Sequence, residues 1–82
     1  MKLPRDIGGE ELANLLRKHG YQTTRQTGSH LRLTSSSKGK EHHVTVPKHK
    51  ALRVGTLNSL LKDIALYLEM DRQLLIKELF KK

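Results

Sequence analysis

"SHLRLTSSSKGKEHHVTVP", residues 29–47, decides the fold because it contains two short segments in which apolar and polar side chains alternate. In "SHLRLTS" the two leucines point to one side of a strand, and the histidine, arginine and threonine around them point to the other. In "HHVTVP" the two valines share one face, and Pro47 ends the strand because it has no N–H to donate. The stretch therefore predicts two antiparallel strands, joined by the connection "SSKGKE", with one apolar face.

The segments on either side complete a small α+β domain. Upstream, "YQTTRQ" is rich in β-branched and aromatic residues and predicts a further strand. Before it, "EELANLLRKHG" predicts a helix with Gly8 as its N-cap and Gly20 as its stop. Downstream, "TLNSLLKDIALYL" and "DRQLLIKELF" predict two helices, the second capped by Asp71. The expected architecture is α-β-β-β-α plus a C-terminal helix over about 71–81, in one domain spanning residues 1–82.

The apolar stripes of the helices have to cover the apolar face of the sheet, so the opposite face stays open to solvent or to a partner. Strand parity places His30 and Arg32 on that open face, with His43 and Thr45 as their expected neighbours. His30 is therefore not expected to be a core residue. The C-terminal helix is expected to complete the core, and a contact with a partner protein or a second copy is the alternative.

The composition is that of a small, strongly basic chain. None of the 82 residues is cysteine, which excludes disulfides, thiolate zinc sites and a cysteine nucleophile. No segment approaches the roughly 20 apolar residues of a membrane span, and no apolar signal-peptide run opens the chain, so a cytoplasmic location without membrane contact is expected. Residues 17–53 contain nine Lys and Arg residues against one acidic residue, Glu41, and carry the whole net charge of +8. This concentration favours a polyanionic partner, most often nucleic acid, over a merely solvated basic surface.

Four short blocks of the sequence carry a family resemblance: "KHGY" at 18–21, "RQTGSH" at 25–30, "VTVPKH" at 44–49 and "GTLNSLLKDIAL" at 55–66. In this order and spacing they resemble the HicA toxin family, the YcfA-like ribonucleases of toxin–antitoxin modules. The resemblance covers about residues 7–66. The chain departs from the family pattern at Thr23, where an aliphatic residue is common, and at Leu31 and Leu33, where aromatic residues are frequent.

The resemblance implies a double-stranded-RNA-binding-like fold and an endoribonuclease toxin that cleaves mRNA and inhibits translation. It implies activity without a bound metal or other cofactor, and neutralisation by a HicB-type antitoxin, with which a higher-order complex can form. The essential histidine of the family follows a Gly-Ser pair at the start of the second strand. In this chain that residue is His30, behind Gly28 and Ser29.

Chemistry supports this assignment, because RNA carries its own nucleophile, the 2′-hydroxyl. The hypothesis is that His30 acts as general base or general acid and that Arg25 or Arg32 stabilises the phosphate. Gly28 would let the phosphate approach the backbone, and Ser29 would donate to it, although both residues also suit an ordinary hairpin turn. The expected products are a 2′,3′-cyclic phosphate and a 5′-hydroxyl.

The remaining basic and histidine residues fall into two groups. A basic loop before the second helix would grip the RNA backbone, through Lys48, Lys50 and Arg53. His42 and His43 are adjacent on a strand and point to opposite faces, and no spacing resembles a closed zinc site, so no metal is expected.

Two other functions compete with the ribonuclease interpretation. A non-catalytic double-stranded-RNA-binding module would share the fold and the charge, and His30 would merely contact the RNA backbone. A protein-interaction domain would turn the basic surface toward an acidic partner chain. The sequence does not indicate the RNA sequence preference, the oligomeric state or the identity of the antitoxin.

Overall fold

The computed structural model describes residues 3–4 and 6–81. Its elements follow in the order α1 (Gly9–Leu16), β1 (Gln22–Thr27), β2 (His30–Ser35), β3 (His42–Pro47), α2 (Val54–Leu68) and α3 (Arg72–Phe80). A short 3₁₀ turn follows α1 directly. The predicted α+β class and the α-β-β-β-α order with a C-terminal helix are confirmed. Helix α2 begins two residues earlier than the sequence pattern indicated.

The sheet is an antiparallel meander with the strand order β1-β2-β3. Leu31 and Leu33 of β2 pair with Val46 and Val44 of β3, and all four side chains are buried under the helices. The alternate residues of β2 and β3 form the other face, which no helix covers. We call this face the open face; on β2 it carries His30, Arg32 and Thr34.

Helix α1 ends in the way that the sequence predicted. Gly20 has a φ of +91°, a left-handed conformation that glycine adopts without steric cost. The N–H of Tyr21 donates to the carbonyl of Leu16, and the N–H of Gly20 donates to that of Arg17, each at 3.2 Å. These two bonds form a Schellman motif. The ending turns the chain back toward the sheet and leaves Tyr21 fully buried.

Helix α3 completes the core, as expected. Leu75, Ile76 and Leu79 are buried, whereas Leu74 is exposed. The carboxylate of Asp71 accepts hydrogen bonds from the N–H groups of the second and third helical residues, at 3.1 and 3.2 Å, and so caps the helix. Among residues 3–4 and 6–81, no helix is long and apolar enough to cross a membrane.

Candidate nucleic-acid interface

The start of β2 places His30 on the open face, directly after the tight turn that joins β1 to β2. Thr27 pairs with His30, so Gly28 and Ser29 form a two-residue hairpin loop. Gly28 has a φ of +53°, and Ser29 has no positive φ, which is the pattern of a type II′ turn. The turn leaves the side chain of His30 exposed, at the end of the sheet, opposite Pro47 of β3.

The register of the hairpin brings Arg25 to the same face. Counted from the two-residue loop, Gln26 pairs with Leu31 and Arg25 pairs with Arg32. The register then shifts between Thr23 and Arg25, which makes Thr24 the extra residue of a β-bulge. The hydroxyl oxygens of Thr24 and Thr34 are 2.8 Å apart, and either can donate. The hairpin therefore places the two arginines opposite each other on the open face.

The guanidinium groups of Arg25 and Arg32 have no acidic neighbour in the part of the chain that the structure describes. Neither side chain forms an ion pair or hydrogen bond there, and both are exposed. Like charges directly opposite each other destabilise a sheet. Two unneutralised cations at this point therefore create a site that favours an anion such as a phosphate.

The expected neighbours of His30 are only partly correct. Thr45 lies opposite Arg32, as predicted, but His43 lies opposite Thr34, four residue pairs away from the His30 pair. The Nδ1 atom of His43 is 2.8 Å from the hydroxyl of Thr34, and its Nε2 atom is 3.5 Å from a carboxylate oxygen of Glu41. His43 is therefore held in a polar network at the far end of the open face.

The basic loop after β3 lies beside the hairpin turn that precedes His30. The N–H of Lys48 donates to the carbonyl of Ser29 at 2.6 Å, which extends the β2–β3 ladder by one residue pair. The side chain of Lys48 turns toward the helices, where its Nζ lies 3.6 Å from a carboxylate oxygen of Glu10. Lys50 and Arg53 are exposed, and Arg53 precedes α2. The loop thus presents Lys50 and Arg53 to solvent, while Lys48 is partly neutralised.

The beginning of α1 holds this loop in place. The N–H of Gly9 donates to the carbonyl of His49 at 3.0 Å, and the N–H of Leu52 donates to the carbonyl of Ile7 at 2.7 Å. A Cβ atom at Gly9 would lie 2.0 Å from the carbonyl oxygen of Pro47, so only glycine permits this approach. The sequence gives no sign of this contact, because Gly9 and Pro47 are 38 positions apart and no local pattern marks them.

A second cluster, also missed, lies on the helix side of the sheet around His42. The Nδ1 atom of His42 is 2.6 Å from the buried hydroxyl of Tyr21, and its Nε2 atom is 3.3 Å from a carboxylate oxygen of Asp63. The ring of Tyr67 stacks on the imidazole, with 4.7 Å between ring centroids. Burial, followed by the neighbouring Tyr67 and Asp63, raises the pKa of Tyr21. Strand parity, which puts His42 on the same side as Val44, was the signal that could have found this cluster.

The Tyr67 hydroxyl extends the cluster to the connection between β2 and β3. It donates to the backbone carbonyls of Ser35, at 3.3 Å, and Lys40, and it accepts from the N–H of Lys38 at 3.1 Å. Within the described ranges, no three histidine or acidic side chains converge as the ligands of a metal ion would. The cluster therefore ties the connection to α2, on the side of the sheet away from His30.

The fold and the site define a small basic α+β protein that presents an exposed histidine and a facing pair of arginines on an uncovered sheet. The sequence model of a family described as the HicA toxin of bacterial toxin–antitoxin matches residues 9–66, which is more than half of the chain. The chain belongs to this family, and the resemblance seen in the sequence is confirmed. It is a toxin of a toxin–antitoxin system, and an antitoxin is its partner class. Comparison with curated proteins and with solved structures gave no match.

Proposed function

We propose that this toxin is an endoribonuclease that cleaves mRNA and thereby inhibits translation, with His30 transferring a proton at the scissile phosphate. The observation that carries the proposal is the exposed imidazole of His30, which has no side-chain partner among residues 3–4 and 6–81 and shares its face with two unneutralised arginines. An unengaged imidazole is available to a substrate. Membership of the toxin family supports the same function.

The chemistry requires only groups that RNA and this face supply. The 2′-hydroxyl of the substrate attacks the adjacent phosphorus, the bond to the 5′-oxygen breaks, and a 2′,3′-cyclic phosphate and a 5′-hydroxyl result. Imidazole exchanges protons readily near neutral pH, so His30 is suited to act as the general base or the general acid. Arg25 and Arg32 would stabilise the negative charge that builds up on the phosphate oxygens.

The other residues predicted to contact RNA lie in different parts of the fold. Gly28 and Ser29 form the turn beside His30, where a phosphate can approach the backbone. Lys50 and Arg53 would hold the RNA backbone by charge. Lys48 would have to leave Glu10 to contact RNA, so we assign it the smallest share of the binding energy.

The antitoxin is proposed to be of the HicB type and to act on the open face. A protein that covered this face would bury His30 and displace RNA from both arginines at once. Acidic side chains on the antitoxin would neutralise Arg25 and Arg32 and remove their mutual repulsion. A higher-order toxin–antitoxin complex is compatible with this arrangement.

The decisive experiment compares cleavage of a long single-stranded mRNA by the wild-type protein and by His30→Ala, with EDTA in both reactions. His19→Ala is the matched control, because His19 follows α1 and lies 4.0 Å from Glu78, outside the open face. Circular dichroism and thermal unfolding establish that each variant is folded. We expect the wild type and His19→Ala to cut the RNA and His30→Ala to lose activity by about 10²–10⁴-fold.

Three other outcomes would contradict the proposal. Products that carry a 5′-phosphate would exclude attack by the 2′-hydroxyl. Loss of wild-type cleavage in EDTA would show that a metal ion is needed. Binding of RNA by both proteins without cleavage by either would favour the non-catalytic double-stranded-RNA-binding module, in which His30 is one backbone contact among several.

A further inference from the structure

Of the five histidines of the chain, three have a polar side-chain partner and two have none among the residues that the structure describes. His19 lies beside Glu78, His42 contacts Tyr21 and Asp63, and His43 contacts Thr34 and Glu41; these are the bonded three. The imidazoles of His30 and His49 form no hydrogen bond or ion pair within the described ranges, and both are exposed. The structure therefore leaves two imidazoles available for other chemistry.

These two free histidines lie at the same end of the sheet. His30 pairs with Pro47, and His49 follows Pro47 by two residues. The hydrogen bond from the N–H of Lys48 to the carbonyl of Ser29 shows that the two segments are still adjacent one residue beyond this pair. If the ladder spacing continues, the Cα atoms of His30 and His49 are about 9 Å apart, which allows both imidazoles to reach one phosphodiester.

Strand β3 ends at Pro47, and the same alternation continued for two more residues would place His49 on the face of His30. Val44 and Val46 are buried on the helix side, and Lys48 continues this series because its ammonium group meets Glu10 of α1. The alternate residues His43 and Thr45 occupy the open face. Pro47 and then His49 are the next two residues in that alternate series.

The backbone of His49 is held although its side chain is free. Its carbonyl accepts the N–H of Gly9, and the loop is joined to the chain before α1 a second time through Leu52 and Ile7. An imidazole on a fixed backbone position is suited to proton transfer, because catalysis depends on the orientation of the reacting groups.

We infer that His30 and His49 form a two-histidine acid–base pair for RNA cleavage, an inference that rests on the proposed ribonuclease function. One imidazole removes the proton of the 2′-hydroxyl as the 2′-oxygen bonds to phosphorus. The other, in its protonated form, gives its proton to the 5′-oxygen as the P–O5′ bond breaks. The first histidine leaves the step protonated and the second leaves it neutral, and exchange of protons with water restores both. This division needs no further reactant.

The test uses the full-length protein and two RNA substrates that differ in one atom. The first is an ordinary oligonucleotide, and the second carries sulfur in place of the bridging 5′-oxygen at the cleavage site. A thiolate leaves without protonation, so the second substrate does not need the general acid. His30→Ala and His49→Ala are compared with the wild type, with His49→Gln as a second variant and His19→Ala as the control.

We expect both alanine variants to lose about 10²–10⁴-fold on ordinary RNA. On the sulfur-containing RNA one of them, the variant lacking the acid, should recover to within about tenfold of the wild type, while the other stays slow. Affinity for an RNA with a 2′-deoxy nucleotide at the cleavage site should change little in His49→Ala, because proton transfer contributes nothing to binding.

Several results would overturn the pair. Cleavage of ordinary RNA by His49→Ala at the wild-type rate, with His30→Ala inactive, would remove His49 from the mechanism and leave the ribonuclease intact. A slow His49→Ala that the sulfur substrate does not distinguish from His30→Ala, or that binds RNA weakly, would make His49 a phosphate contact. A wild-type protein that cuts neither substrate would overturn the ribonuclease function itself.

Discussion

Arg25 of β1 and Arg32 of β2 face each other directly across the open face of the sheet, and both are exposed. The two-residue loop of Gly28 and Ser29 sets this pair, because counting back from the pair of Thr27 and His30 brings Arg25 opposite Arg32. Facing like charges destabilise a sheet, so the free protein retains an unfavourable contact that a bound polyanion would relieve. The feature is thus better explained by binding than by folding.

Replacing Arg25 by Gln should stabilise the free protein while weakening its binding of RNA. Removal of the repulsion should raise the free energy of unfolding by about 0.5 kcal/mol at low salt, and the gain should vanish at high salt. The affinity for RNA should fall, with the salt dependence of log Kd reduced by about one phosphate contact. Urea unfolding and RNA binding at several salt concentrations measure both effects.

Lys50→Gln is the control for this prediction, because Lys50 is an exposed cation in the loop with no facing arginine. It should weaken RNA binding without any gain in stability. A lower free energy of unfolding for Arg25→Gln at low salt would show that the guanidinium stabilises the fold, and it would contradict the prediction.

Gly28 and Gly39 allow the conformational role of a glycine to be separated from its position. Both have positive φ, +53° and +79°, and beyond the adjacent residues of the chain neither has an atom within 4 Å of the place where a Cβ would lie. Alanine at either site should therefore cost about 1 kcal/mol of stability through backbone strain alone. Only Gly28→Ala should also reduce RNA cleavage, because it changes the turn that positions His30.

Thermal unfolding and RNA cleavage, measured in parallel on Gly28→Ala and Gly39→Ala, test this difference between the two variants. An equal loss of cleavage in Gly39→Ala would mean that activity follows global stability and that the turn has no special role.

Gly9 and Gly55 form a second matched pair, this time for close packing. Alanine at Gly9 would push its Cβ into the carbonyl of Pro47 and force α1 away from the end of β3. We expect a loss of about 2 kcal/mol or more. Gly55 lies in α2 with open space around it, so Gly55→Ala should stabilise the protein by up to about 1 kcal/mol. Chemical denaturation measures both, and a neutral Gly9→Ala would show that the contact with β3 is loose.

The alternation of residues in β2 and β3 and the stripes in the helices were sufficient to predict the fold and the exposure of His30. These are local patterns, which repeat every two or every 3.6 residues and are visible without tertiary contacts. The stop at Gly20 and the cap at Asp71 were predictable for the same reason, since each depends on residue type at a fixed offset.

The parts that could not be predicted depend on contacts between distant residues. The bulge at Thr24 leaves no mark in "YQTTRQ", where threonine suits either face, so the shift of register within β1 was not expected. The ion pair of Lys48 with Glu10 appears only once α1 packs beside β3. Nothing in the spacing of Tyr21 and Tyr67 indicated that both would meet His42.

Tyr21 makes the stability of the protein depend on pH in the alkaline range. The residue is buried, and burial, then the neighbouring Tyr67 and Asp63, raise its pKa above the ordinary value of 10.0. Above pH 10 the unfolded chain therefore loses the phenolic proton while the folded protein keeps it. The part of the free energy of unfolding that depends on this proton is complete below pH 10. It is lost as the pH rises further, by at most about 1.4 kcal/mol per pH unit.

Tyr21→Phe keeps the ring in the core and removes the group that titrates. At neutral pH the variant should be less stable by about 1 kcal/mol, because the hydroxyl that meets Nδ1 of His42 is gone. As the pH rises above the ordinary tyrosine pKa, the wild type should lose stability relative to the variant and the difference should shrink. Urea unfolding of both proteins across this range tests the prediction, since the lysines common to both cancel in the comparison. Parallel curves throughout would show that the Tyr21 hydroxyl titrates alike in the folded and unfolded states.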